Sequence, residues 1–217
     1  MIHVPELDTV FLLPMKCGIT SIKAGIQNRY RRAQVVPKGL VHNHHPAISK
    51  DAKYVDCTYV LATRHPVSRL LSLFSMFQRT SRAYRALSKK RQEERKGKYF
   101  GVIIFGKVST LKEFLEVPDN TKLADRMRTS WSVNWQLQAT QTGKPDFLVR
   151  QESLSKDLNN FLKSKGEKPL DCPARRVAGY NAFVSKENID LAHKIVERWW
   201  EPDFSIGNYP KKWKFKL

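Results

Sequence analysis

The stretch Thr9-Val10-Phe11-Leu12-Leu13-Pro14-Met15-Lys16-Cys17-Gly18-Ile19-Thr20-Ser21 decides how this chain folds. Its first five residues are a short apolar run ended by Pro14, which suits a buried strand of an α/β sheet better than a helix. Beyond Gly18, the residues Ile19, Ile22, Ile26 and Tyr30 recur at helical spacing, so the order is strand, glycine loop, helix. A loop of that kind offers backbone N–H groups and the positive end of a helix dipole to an anion. Gly18 permits close backbone approach, Thr20 and Ser21 supply hydroxyl donors, and Lys16 supplies a mobile cation for charge on a leaving oxygen.

A second unit of the same kind follows. Cys57 to Thr63 (CTYVLAT) is another β-rich apolar run, and Pro66 begins a helix whose Val67, Leu70, Leu71, Phe74 and Phe77 form one stripe. Arg64 stands at that junction, where its guanidinium can fork onto a phosphate, and Ser72 lies two turns into the helix with a hydroxyl to add. Helices are expected from Thr110 and across Leu123 to Gln138, then a strand over Asp146 to Val149 and a helix from Ser153 to Lys165 closed by Gly166. Ser185 caps a last helix with Ile189, Ala192, Val196 and Trp199 on one face. The alternation predicts an α/β, P-loop-like three-layer fold, with a central, mostly parallel sheet flanked by helices and one domain over residues 1–217. Ligands of such sheets bind at the carboxyl ends of the strands, so the Lys16 and Arg64 junctions should face one crevice. Residues Arg79 to Lys98 are dense in charge with almost no apolar period, and read as a solvated helix or basic insertion placed to act as a lid.

Composition narrows the partners. The chain has 39 Lys and Arg against 20 Asp and Glu, a net charge of +19, which draws in nucleic acid, anionic glycans or phosphorylated cofactors. Charge alone leaves open a basic polyanion- or nucleic-acid-binding protein without catalysis. An ordinary nucleoside triphosphatase or kinase is disfavoured, because the GxxxxGK[ST] spacing is missing and Lys16 precedes Gly18. Cys17, Cys57 and Cys172 are odd in number and widely spaced, and read as reduced thiols. With no basic n-region and no 18-residue apolar run, a cytoplasmic chain without a membrane span is expected, although an anchored lumenal enzyme trimmed of its anchor would read the same.

The motif K-x-G-x-T-S over Lys16 to Ser21, with R-x-P-x-x-R-x-x-S over Arg64 to Ser72, resembles the two signatures by which sulfotransferases bind 3′-phosphoadenosine 5′-phosphosulfate (PAPS). Arg69-Leu70-Leu71-Ser72 is closer to the carbohydrate branch of that family than to the small-molecule branch. The similarity extends to Phe147 through Leu154 and to Asp203-Phe204 through Tyr209. Met15 between Pro14 and Lys16, and His65 where the family often has Asp, depart from the pattern. The resemblance implies that Lys16, Cys17, Gly18, Ile19, Thr20 and Ser21 hold the 5′-phosphosulfate, that Arg64 and Ser72 hold the 3′-phosphate, and that Arg176, beside Arg175, belongs to a late loop over the nucleotide. The acceptor would be a hydroxyl compound or amine, with an acidic glycan suited to the charge, and the nucleotide product would be adenosine 3′,5′-bisphosphate.

Sulfuryl transfer of this type needs a base for the acceptor's proton. Val41-His42-Asn43-His44-His45-Pro46 lies between the two motifs, and histidine has the unperturbed pKa best suited to that task. His44 is the first choice, satisfying both the H-x-P and H-x-H settings of catalytic histidines in the family; His42 and His45 are alternatives, as is a solvated loop. No metal is required. A different reading makes Cys17, at a helix N-terminus, a thiolate nucleophile.

Overall fold

A reversal at Asp8, whose φ of 46° puts it in the left-handed region, folds the first strand back on the second. The computed structural model describes residues 1–35, 53–95, 108, 110–128, 132–140, 143–172 and 184–212. In chain order the elements are β1 (Ile2–Val4), β2 (Thr9–Leu12), α1 (Ile19–Arg29), β3 (Gln34–Val35), β4 (Thr58–Thr63), α2 (Pro66–Arg85) and α3 (Lys89–Arg95). There follow α4 (Leu111–Leu115), α5 (Lys122–Arg128), α6 (Val133–Thr140), β5 (Phe147–Arg150), α7 (Leu154–Ser164), α8 (Lys186–Trp199) and α9 (Glu201–Ile206), with a 3-10 turn at Gln151–Ser153 between β5 and α7.

The strands form one sheet in the order β3-β1-β2-β4-β5. β2 and β5 both run parallel to β4, with Leu12 opposite Leu61 and Thr63 opposite Arg150. β1 is antiparallel to both β2 and β3, so it alone is reversed and the mostly parallel sheet is as expected. The three parallel strands are those read from the sequence. β1 and β3 are additions at one edge, too short at three and two residues to carry a period of two.

All four residues of β2 are buried, as are Tyr59 to Thr63 of β4, which explains why both strands read as continuous apolar runs. Phe11 of β2 meets Phe161 of α7 edge to face at 5.6 Å, and Phe147 of β5 meets the same ring at 5.3 Å. Ile22 and Ile26 of α1 complete that cluster. A second cluster joins the α2 stripe, Val67, Leu70, Leu71, Phe74 and Phe77, to Phe114 of α4 and to Ala192, Val196 and Trp199 of α8. Thr110 Oγ1 accepts the Glu113 N–H at 3.1 Å and Ser185 Oγ accepts the Asn188 N–H at 3.1 Å, so both expected N-caps form.

The basic segment from Arg79 is helical. Arg79 to Arg85 continue α2, Lys89 to Arg95 make α3, and residues 96–98 lie outside the described residues. Arg79, Arg82, Arg85, Lys89, Lys90 and Arg91 are all exposed. Among the described residues no helix is long and apolar enough to cross a membrane. The packing gives a direct expectation: Phe11→Ala, at a site with no exposure, should lower unfolding free energy by ~3–5 kcal/mol. Exposed Arg82→Ala should stay within about 0.5 kcal/mol of the parent, both read from urea denaturation.

Candidate functional site

The loop between β2 and α1 is set by two residues in the left-handed region, Lys16 at φ 70° and Gly18 at φ 79°. Glycine adopts that conformation freely; lysine does so rarely, and such outliers concentrate where function constrains the backbone. A Cβ on Gly18 would also lie 2.8 Å from Leu154 Cδ1, so α7 reaches the loop only because no side chain stands there. The Cys17 N–H donates to Pro14 O at 3.3 Å, and the N–H groups of Ser21 and Ile22 both donate to Gly18 O at 3.1 Å. The earlier N–H groups of the first turn, at Ile19 and Thr20, have no backbone carbonyl to reach within the helix and point out of its positive end. Lys16 is half-buried, Thr20 is exposed and Ser21 is buried.

The nucleophilic reading of Cys17 does not hold. The thiol is completely buried, and burial pushes its pKa up to about 11, with Arg69 and Arg64 pulling only weakly the other way. Desolvation outweighs the helix terminus, and the thiol turns inward to the Met15 carbonyl at 3.8 Å.

The second junction lies beside the first because β2 and β4 are parallel neighbours. Arg64 follows β4 and is buried, and its Nε donates to Ser68 Oγ at 2.8 Å. That bond ties the guanidinium to the first turns of α2. One turn further on, Ser72 Oγ is buried with no hydrogen-bond partner among the described residues, as is Ser75 Oγ. Gln151, just beyond β5, also has a buried Oε1 without a partner, and its Cγ would stand 3.8 Å from a Cβ on Gly18. Buried polar atoms are seldom left unfilled, so among the described residues the helix after β4 and the turn after β5 both carry groups with hydrogen-bonding capacity to spare.

Two features of this region escaped the sequence reading. The first is Arg69, which is 1% exposed; its Nε donates to Met15 O at 3.1 Å and its NH1 to Asp203 Oδ2 at 3.0 Å. The Met15 insertion is thereby absorbed, its carbonyl bound from α2. The second is a carboxylate bridge. Glu152 accepts the His65 backbone N–H and the Tyr209 hydroxyl, each at 2.9 Å, and the Tyr209 oxygen lies 3.2 Å from Thr63 Oγ1. Arg69 was visible only as a letter in a motif, and Glu152 only as an acidic turn. The histidines His42, His44 and His45, with Arg175 and Arg176, lie outside the described residues. Among the described residues no cluster of potential ligands could hold a metal ion.

His65 is 1% exposed, with its ring 5.5 Å from that of Phe204 and 5.3 Å from that of Tyr209. Burial lowers its pKa from 6.5 to about 4, opposed by a contact with the Pro210 carbonyl and reinforced by His193. Below its ordinary pKa the unfolded chain takes up a proton that the folded chain refuses. The stabilisation is therefore complete above pH 6.5 and lost as pH falls toward about 4, by up to about 3 kcal/mol. The unfolding free energy of the parent should fall more steeply than that of His65→Gln over this window, as measured by urea denaturation at stepped pH; parallel slopes would contradict a neutral buried imidazole.

No curated protein and no solved structure gives a significant match to the chain. A model of the sulfotransferase family does match, over residues 15–187. The matched stretch opens at Met15, takes in the Lys16 loop and the Arg64 helix, and runs on into the first turn of α8. The chain therefore belongs to the sulfotransferase family, whose reaction is sulfuryl transfer from a sulfonate donor to an acceptor.

Proposed function

We propose that the donor is PAPS, and that the protein moves its sulfuryl group onto a hydroxyl or amine of an acidic acceptor, a uronic-acid glycan being the class that the charge fits best. The observation that carries this reading is the pairing of two anion-directed junctions on adjacent parallel strands, Lys16 to Ser21 after β2 and Arg64 after β4. One cradles an anion with backbone and hydroxyl groups and the other offers a guanidinium, as a nucleotide with separate 5′ and 3′ charges requires. The residues fit the nucleotide in a further respect: Ser72 Oγ, on the Arg64 helix, is buried with no partner among the described residues.

PAPS would supply a sulfuryl group already bonded to a good leaving phosphate. The residues of the chain do the rest. Thr20, Ser21 and the first-turn N–H groups of α1 hold the 5′ end, while Lys16 neutralises charge developing on the bridging oxygen, the largest electrostatic demand of an in-line displacement. Arg64 and Ser72 grip the 3′-phosphate, and Arg176 adds a cation from a later loop. His44 takes the proton of the acceptor, with His42 and His45 the alternative candidates for that role. The exposed cations of α2 and α3, from Arg79 to Arg91, favour an anionic acceptor and make that segment a lid on the acceptor side.

Titration calorimetry tests the assignment. Wild-type protein should prefer adenosine 3′,5′-bisphosphate over 5′-AMP, and Arg64→Ala should abolish the preference by costing ~1.5–3 kcal/mol on the bisphosphate. His44→Ala should bind the bisphosphate as the wild type does and fail in turnover on any acceptor that the wild type sulfates. Equal affinity of the wild type for the two nucleotides would discard PAPS and leave a polyanion-binding protein.

A further inference from the structure

The peptide unit between Met15 and Lys16 is the first element of the donor loop, and it is held from outside the loop. Its carbonyl oxygen accepts from Arg69 Nε at 3.1 Å. A peptide unit is planar, with its C=O and N–H pointing in opposite directions, so fixing the Met15 oxygen also fixes where the Lys16 N–H points. It does so at a residue whose φ of 70° needs a constraint to persist. Arg69 is held in turn by Asp203 of α9, NH1 to Oδ2 at 3.0 Å, and lies with its guanidinium carbon 4.7 Å from the centre of the Trp200 ring. Asp203 is locked by three further donors: Ser132 Oγ at 2.9 Å and the Asn134 N–H at 2.8 Å on Oδ1, and the Val133 N–H at 2.8 Å on Oδ2. The chain of contacts runs from α6 and α9 through Arg69 to the backbone of the loop. Trp200 and Asp203 both lie beyond residue 187, where the family match ends.

We propose that Arg69 is a positioning residue for the donor loop and that Asp203 is its anchor, so that the segment around α9 sets the loop's grip on the 5′ group of the nucleotide. The inference rests on reading Lys16 to Ser21 as the site of that 5′ group and Arg64 as the site of the 3′-phosphate. It separates two effects that a loss of stability would merge. The Arg69 side chain bonds Met15 O and Asp203, whereas Arg64 is held by Ser68, so loss of the Arg69 fork should weaken the 5′ increment alone.

The test compares the affinity for adenosine 3′,5′-bisphosphate with that for adenosine 3′-monophosphate, in the full chain, with thermal melts on the same samples. In the wild type the bisphosphate should bind more tightly. Arg69→Lys keeps a cation beside Asp203, but its single ammonium lacks the fork that spans Met15 O and the carboxylate. It should narrow the ratio of the two affinities by about tenfold or more while the 3′-monophosphate binds as before. Asp203→Asn, which preserves shape and removes the charge that holds Arg69, should narrow the ratio in the same direction, and it serves if Arg69→Lys does not fold. An unchanged ratio, or a parallel loss on both nucleotides, overturns the positioning role. A wild type that binds the two nucleotides equally overturns the reading of the loop itself, and the inference falls with it.

Discussion

Two opposite charges buried to 1% and 2% of side-chain exposure, Arg69 and Asp203, are the constraint on which the rest of this site depends. Removing such groups from water costs several kcal/mol each, and mutual attraction offsets that only when the remaining donors and lone pairs are also satisfied. Here they are. The carboxylate accepts four hydrogen bonds, and the guanidinium spends Nε on a loop carbonyl and its face on Trp200. The pair fastens the N-terminus of α6, the start of α9 and the mouth of β2 around one buried point. An apolar substitute of equal volume could fill that space but could not hold Met15 O in a stated direction.

From that point the chemistry follows with little further machinery. Parallel β2 and β4 place their carboxyl ends side by side, so two basic junctions share an edge without any loop having to travel. Ser68 fixes the Arg64 guanidinium within the protein, so a nucleotide of the kind proposed would meet a cation already oriented. On the opposite rim Glu152 joins β5 to the turn before α2, and Tyr209, whose hydroxyl stays protonated because burial raises its pKa, donates to the same carboxylate. Glu152 thus holds together the ends of β5 and β4 and the segment that carries Tyr209.

How much of this was legible beforehand follows from the range of each interaction. α2 and α8 could be read from their stripes, and β2 and β4 from unbroken apolar runs, because burial on every side leaves a local trace in the letters. The Lys16 loop was legible because Gly18, Thr20 and Ser21 declare their chemistry within six residues. α9 was missed, since Pro202 reads as a stop although it sits in the first turn of that helix, where proline is tolerated. Cys17 was ambiguous because a helix N-terminus lowers a thiol pKa and burial raises it, and only packing decides between them. The Arg69 to Asp203 contact had no local signal at all, its partners being 134 residues apart.

That separation has a consequence for how the protein is made. A chain emerging from the ribosome in N-to-C order can pair β2 with β4, and pack α1 on them, long before residue 203 has been synthesised. The loop after β2 would then exist with its left-handed Lys16 unanchored, and Arg69 would be a charge entering an apolar cluster without its counter-ion. Closure of this long-range contact comes late in synthesis, and on the reading proposed above a nascent chain should grip nucleotide tightly only once α9 has docked.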